Sequence, residues 1–313
     1  MLTLPDKGIH RSITVHNVDL NILTDWIEAS VVFVDEQLSK SDVIDVLMEE
    51  QIYESQSFAA EKIEVAWNVI SLRMNYLDHP LGINVNGNRI TRTDTWEIFP
   101  AYGFCLTLSC VSLYSHLPTS WENGYGIQGE LFEELVLETF NQTLPKWTVK
   151  RIGWSGTSNP ISLVETLPTI ISDLNETEGA EYNLHIDKTV KDMGLDLLAF
   201  YSFGDEQASI PVLLVQCASG RNWTSKRNTP DIDLWKKIIS FNSQPVRAFA
   251  MPFAFADTLE FRKEAAHVNG VFIDRYRLLK AFRQKDASVS NDLNKRLENW
   301  IRPRIDQLPR VTS

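Results

Sequence analysis

The sequence predicts an α/β fold in which a mainly helical N-terminal region precedes a sheet core flanked by helices. Three observations carry this. Apolar residues recur at three- and four-residue spacing in DLNILTDWIEASVVFV, SKSDVIDVLMEE and SQSFAAEKIEVAWNVISLRMNYL, which is the period of amphipathic helices. From Gly129 the texture changes to strands separated by helices, the pattern of an α/β sheet. Two of those strands, LDLLAFYSF and IPVLLVQCA, are nearly continuous in apolar residues, as expected where helices cover both faces of a sheet.

Each element has its own local warrant. Ser39 and Ser41 are candidate N-caps for the second helix. Asn86–Gly87 in DHPLGINVNGNRITRTDTW favours a tight hairpin. The apolar run Phe99 to Leu117 reads as a buried helix, because Ser, Thr, Tyr and His interrupt it and no Lys/Arg flank would orient it in a bilayer. LPTSWENGYGIQG, dense in Pro, Gly and Asn, marks a boundary. The predicted division is a helical domain over 1–120, an α/β domain over 121–285, and a C-terminal helix and tail over 286–313. Within the α/β domain, GELFEELVLETFNQTL is an amphipathic helix and WTVKRIGW a strand, followed by a polar insertion through DLNETEGAEYN. After the two apolar strands come helix DIDLWKKIISF, strand VRAFAMPFAF, helix TLEFRKEAAH, strand GVFIDR and helix YRLLKAF. NDLNKRLENWIRPRIDQL is the last amphipathic helix.

With 313 residues and 43% hydrophobic content the chain can bury a substantial core. Its net charge of −11 counts against autonomous DNA binding, which draws its affinity from neutralised phosphates. A local basic face, or a partner subunit that holds the DNA, remains compatible with it. The three cysteines (Cys105, Cys110, Cys217) form no CxxC pair and support neither a disulfide framework nor a zinc ribbon. A reducing cytoplasm is the expected compartment, and no signal-peptide layout opens the sequence. His185 and His267 lack the spaced partners of a zinc site. Nucleophile-elbow, phosphate-loop and dinucleotide fingerprints are missing.

The chemistry concentrates in three pieces. Asp196 sits inside an apolar strand, where an unpaired carboxylate is costly to bury. Gln216 closes the following strand and can offer its amide oxygen, and the main-chain carbonyl of Cys217 adds a donor that does not depend on side-chain identity. On the helix before them stand Glu130, Glu133, Glu134 and Glu138. Hard oxygen donors of this kind suit Mg²⁺, which keeps several waters and takes few protein ligands. Phosphodiester hydrolysis would also need a group to position water and positive charge near the phosphate.

In the order helix acid, strand Asp, strand Glu/Gln, the chain resembles the PD-(D/E)XK nuclease superfamily, and most nearly its Mrr-like branch. GELFE places Glu133 at the helix acid, MGLD places Asp196 at the strand acid, and QCA places Gln216 at the third position. The 20-residue spacing from Asp196 to Gln216 suits adjacent strands joined through GDEQAS. The resemblance covers roughly Gly129 to Phe282 and implies a restriction-endonuclease-like mixed sheet flanked by helices. It further implies Mg²⁺ (or Mn²⁺) held by Glu133, Asp196, Gln216 and Cys217, with DNA as substrate. The setting it implies is a prokaryotic restriction or anti-phage defence system, with a protein partner subunit or a homo-oligomer and no membrane.

The family's lysine, two residues after the third position, is here Ala218. Arg221 and Lys226, just beyond the strand, are the expected substitutes, with Lys236 and Lys237 on the next helix. Arginine steadies charge but is a poor base, so water held by Glu133 or the metal would supply the nucleophile. RNWTSKRN (Arg221 to Asn228) also combines basic residues with a tryptophan that suits phosphate contact and base stacking. The alternative expectation is a catalytically inactive copy of the fold, acting as a scaffold or nucleic-acid-sensing adaptor.

Overall fold

Asp19 starts the first helix, α1 (Leu20–Phe33), by accepting from the main-chain N–H groups of Asn21 and Ile22 at 2.8 and 3.3 Å. The computed structural model describes residues 1–10, 18–77, 82–117, 125–152, 163–185, 193–283 and 288–311. Residues 118–124 of the predicted boundary, Gly153, Trp154, Lys191 and Asp192 lie outside them. The chain divides into two compact units: residues 1–127, 252–260 and 274–313 form the first, and 128–251 with 261–273 the second.

In the first unit α1 is buried from Leu23 to Phe33, its Asp25 and Glu28 included, and buried carboxylates need paired partners. A short strand β1 (Gln37–Ser39) leads into α2 (Lys40–Glu49), where Ser39 and Asp42 form a reciprocal capping box. Ser55 caps α3 (Gln56–Tyr76). The hairpin expected at Asn86–Gly87 joins β2 (Ile83–Asn86) to β3 (Arg89–Arg92), with Asn86 opposite Arg89. Gly87 takes a φ of 54°, a left-handed conformation that favours glycine. The apolar run at 99–117 forms α4 (Pro100–Leu113), buried along its length and led by proline in its first turn. Among the described residues no helix is long and apolar enough to cross a membrane.

In the second unit α5 (Tyr125–Thr143) starts four residues earlier than GELFE suggests. It leads to β4 (Thr148–Arg151), then to an unpredicted helix, α6 (Leu163–Leu174), whose Leu163, Leu167, Ile170 and Leu174 enter the core. The segment read as a polar insertion holds β5 (Thr177–Glu178) and the single turn α7 (Tyr182–His185). Next come β6 (Leu197–Phe200), β7 (Val212–Cys217) and α8 (Ile232–Ile238). The predicted helix through Phe241 stops at Ile238, because β8 (Ile239–Ser240) pairs with β5. The unit ends with β9 (Val246–Ala250), α9 (Thr258–Val268) and β10 (Val271–Ile273).

These strands make a mixed five-stranded sheet in the order β10-β9-β7-β6-β4. The pairs β4–β6 and β6–β7 are antiparallel, while β7–β9 and β9–β10 are parallel. The parallel β7–β9 pair needs a crossover, and α8 lies in it. All four residues of β6 are buried, as its apolar run predicts. Because β6 and β7 are antiparallel, the start of one lies beside the end of the other: Leu197 faces Val215. That register sets Asp196 next to Gln216.

The chain then returns to the first unit with α10 (Arg275–Lys280) and α11 (Asn291–Ile305). Residues 274–313 belong to the first unit. Trp300 of α11 meets Phe104 of α4 edge-to-face at 5.0 Å, and Arg275 of α10 is buried against α1. These contacts lie far apart in sequence, so no local pattern announces them.

Candidate functional site

Asp196 lies just before β6, at the sheet end. Met193 and Gly194, which precede it, both have positive φ, 51° and 75°. A Cβ on Gly194 would lie 2.8 Å from Thr229 Cβ and 3.1 Å from Gln216 Oε1. Glycine is therefore required here by backbone and by space. The Asp196 main chain is fixed on both sides: its N–H donates to Val215 O, and its carbonyl accepts from Ile152 N–H, both at 2.9 Å.

The side chains then converge. Asp196 is 9% exposed and Gln216 4%. Asp196 Oδ2 accepts from the Cys217 main-chain N–H at 2.5 Å and from the Gln216 amide Nε2. The same Nε2 donates to the Cys217 carbonyl at 3.2 Å. On its other side, Gln216 Oε1 accepts from the Thr229 hydroxyl at 2.9 Å. Thr229 Oγ1 is also 2.6 Å from the carbonyl of Lys226.

Glu133 is tied to this end of the sheet through Arg151. Arg151 ends β4 beside Leu197. Its Nη2 and Nε donate to Glu133 Oε2 at 3.1 and 3.3 Å, and its Nη1 donates to Glu134 Oε1 at 2.8 Å. One guanidinium thus ties α5 to the sheet through two carboxylates. Gln128 adds a second tie, donating to the Ser219 carbonyl and hydroxyl at 3.2 Å. Neither Arg151 nor Thr229 carried a spacing signal, although an arginine closing a strand beside an acidic helix was a usable cue.

The Cys217 thiol registers the local field. Burial pushes it well above the ordinary thiol range, the charges of Asp196 and Glu133 push it further, and Arg151 and Lys226 pull the other way. Four of the charges in question therefore act on one point at the end of β7. Lys226 belongs to that field from a short helical turn over Trp223–Lys226, and Arg221 is exposed in the turn before it. Ala218 is buried, with its N–H on the Ala250 carbonyl. Trp223 stacks at 6.1 Å on Phe272 and lies 6.2 Å from Phe249, and Arg227 pairs with Glu264 at 2.5 Å.

Among the described residues no group of three His, Cys, Asp or Glu side chains is placed to hold a metal. A hard cation here would use Asp196 together with the neutral oxygens of Gln216 and Cys217. That donor set has the right chemistry on one condition: Gln216 must turn its amide oxygen, in place of its nitrogen, toward Asp196. Comparison of the chain with family models, with curated proteins and with solved structures gives no match.

Proposed function

We propose that the second unit is a metal-dependent phosphodiester hydrolase of the PD-(D/E)XK type that acts on DNA. The observation that carries this is the meeting of Asp196, Gln216 and the Cys217 carbonyl at one sheet end, with Arg151 at the end of the neighbouring strand binding Glu133. The mixed sheet and the acidic helix preceding it support the same reading. When bound, Mg²⁺ or Mn²⁺ would supply Lewis-acid stabilisation and a more acidic water.

The protein's own groups divide the remaining work. Asp196, Gln216 and Cys217 O would hold the cation. Glu133, paired with Arg151, would orient the attacking water. Lys226 would provide the positive charge that Ala218 lacks, and exposed Arg221 would contact phosphate. On the same reading the protein works in the cytoplasm, with a partner subunit or a second copy supplying DNA affinity that a charge of −11 does not. The prokaryotic restriction or anti-phage setting rests on the resemblance to Mrr-like nucleases.

The test is cleavage. Wild-type protein with Mg²⁺ is expected to cut duplex or single-stranded DNA, and Asp196→Ala to abolish cutting. Retained cutting in that variant would sink the assignment. Buried Ala218 favours a second reading, an inactive scaffold or nucleic-acid-sensing adaptor. DNA binding without cleavage, unchanged by Asp196→Ala, would establish it.

A further inference from the structure

The Gln216 side chain lies between two partners with different demands. An ionised carboxylate such as Asp196 only accepts, whereas the Thr229 hydroxyl can donate or accept. Gln216 now gives its NH₂ to Asp196 and the Cys217 carbonyl, and takes the Thr229 hydroxyl on its oxygen. This arrangement compensates the buried carboxylate without a cation. It also covers the oxygens that a cation would need.

A half-turn of the amide about its last bond exchanges oxygen for nitrogen with little change of shape. Gln216 Oε1 would then face Asp196 Oδ2, an arrangement that repels unless positive charge lies between them. The same rotation releases the Cys217 carbonyl. The amide NH₂ would point at Thr229 Oγ1, which can accept because the hydroxyl has a second acceptor, Lys226 O, at 2.6 Å. Thr229 is held at this distance by the missing Cβ of Gly194.

We infer that Thr229 is a positioning residue for the candidate cation site: its hydroxyl donates to Gln216 in the cation-free protein and accepts from it when a divalent cation is bound. The inference rests on the metal-dependent reading above. It explains why a neutral amide, placed nitrogen-first on an aspartate, need not block a cation. Thr229 gives the amide a satisfied partner in both orientations, so cation binding leaves no buried polar group unpaired.

Mn²⁺ titration of the full chain tests this with Thr229→Val, which keeps the shape, and Thr229→Ser, which keeps the hydroxyl. Because the hydroxyl bonds Gln216 with and without the cation, Thr229→Val loses one hydrogen bond from each state. Its Mn²⁺ affinity should therefore stay within about threefold of wild type, while its unfolding constant rises roughly five- to tenfold both without the cation and at saturation. Thr229→Ser should stay within about twofold of wild type, since it keeps that bond. In the ¹⁵N spectrum of wild type, the Gln216 side-chain amide pair, identified by its loss in Gln216→Leu, should shift on saturation with Mg²⁺. Mn²⁺ binding by Thr229→Val that is roughly five- to tenfold tighter or weaker than wild type means that the bond exists in one state only, which overturns the inference and leaves the metal reading standing. Failure of wild type to bind Mn²⁺ overturns both. Should Thr229→Val not fold, an amide pair that stays put under saturating Mg²⁺ overturns the inference.

Discussion

Arg275 and Asp25, 250 residues apart in sequence, are joined in the interior of the first unit by two hydrogen bonds, Nη1 to Oδ1 at 3.1 Å and Nη2 to Oδ2 at 3.0 Å. Around them Arg73 bonds Asp25 and Glu28 at 3.1 and 2.6 Å, and Tyr102 and Tyr276 donate to Glu28. The set links α1, α3, α4 and α10 with two acids against two arginines. Removing one partner of a buried pair leaves the other charge uncompensated, at about 3–5 kcal/mol. Arg275→Ala and Asp25→Ala are each expected to lower unfolding free energy by about that amount in urea titrations. The double replacement Asp25→Leu/Arg275→Met should recover a large part of it, because no lone charge remains buried.

Asp274, next in the chain, behaves in the opposite sense to Asp25. Burial raises its carboxyl above the ordinary 3.8, outweighing the Arg277 N–H and the charges of Arg277, Arg275 and Arg73. For Asp25 burial also pushes upward, but Arg275 and Arg73 prevail and hold it below 3.8. The signs follow from linkage. The contribution of Asp25 is present above its unfolded value and is lost as pH falls through its lowered folded value. The charged form of Asp274 costs stability at neutral pH, and the cost disappears as pH falls through its raised value toward the unfolded one. Asp274→Asn keeps an acceptor for the Arg277 N–H, which caps α10 at 3.0 Å. It is expected to raise the melting temperature at pH 7, and the gain should vanish in melts run below about pH 4, near the unfolded carboxylate value.

Gly194 is predicted to be intolerant of even a methyl group. Its φ of 75° costs a side-chain-bearing residue about 1–2 kcal/mol. The added Cβ would also sit 2.8 Å from Thr229 Cβ. Gly194→Ala should therefore both destabilise the fold in urea and weaken Mn²⁺ binding. A variant with unchanged affinity would show that Thr229 has room to move.

The features legible in the sequence were those with local causes. Period-3.6 patterning located α1 to α3, the apolar run from Phe99 located α4, Ser39 announced the α2 cap, and Asn86–Gly87 announced the hairpin. The apolar runs around Asp196 and Gln216, 20 residues apart, gave the antiparallel pair that sets those residues together. Other features depended on distant partners. The helix α6 carries Pro168 in its interior, a residue that argues against helix. Ile239 and Ser240 continue a helical pattern but leave it to pair with β5. Arg151 acquires its role only when α5 packs beside β4, and Arg275 only when the end of the chain returns to α1.

The central claim is that Asp196 and its neighbours form a divalent-cation site, and calorimetric titration of Mn²⁺ into wild type and Asp196→Asn tests it most directly. The substitution keeps the shape and removes the charge. The account predicts a saturable site in wild type that is lost in Asp196→Asn, with melting temperatures showing both proteins folded. No binding to wild type, or equal binding to both proteins, would contradict it.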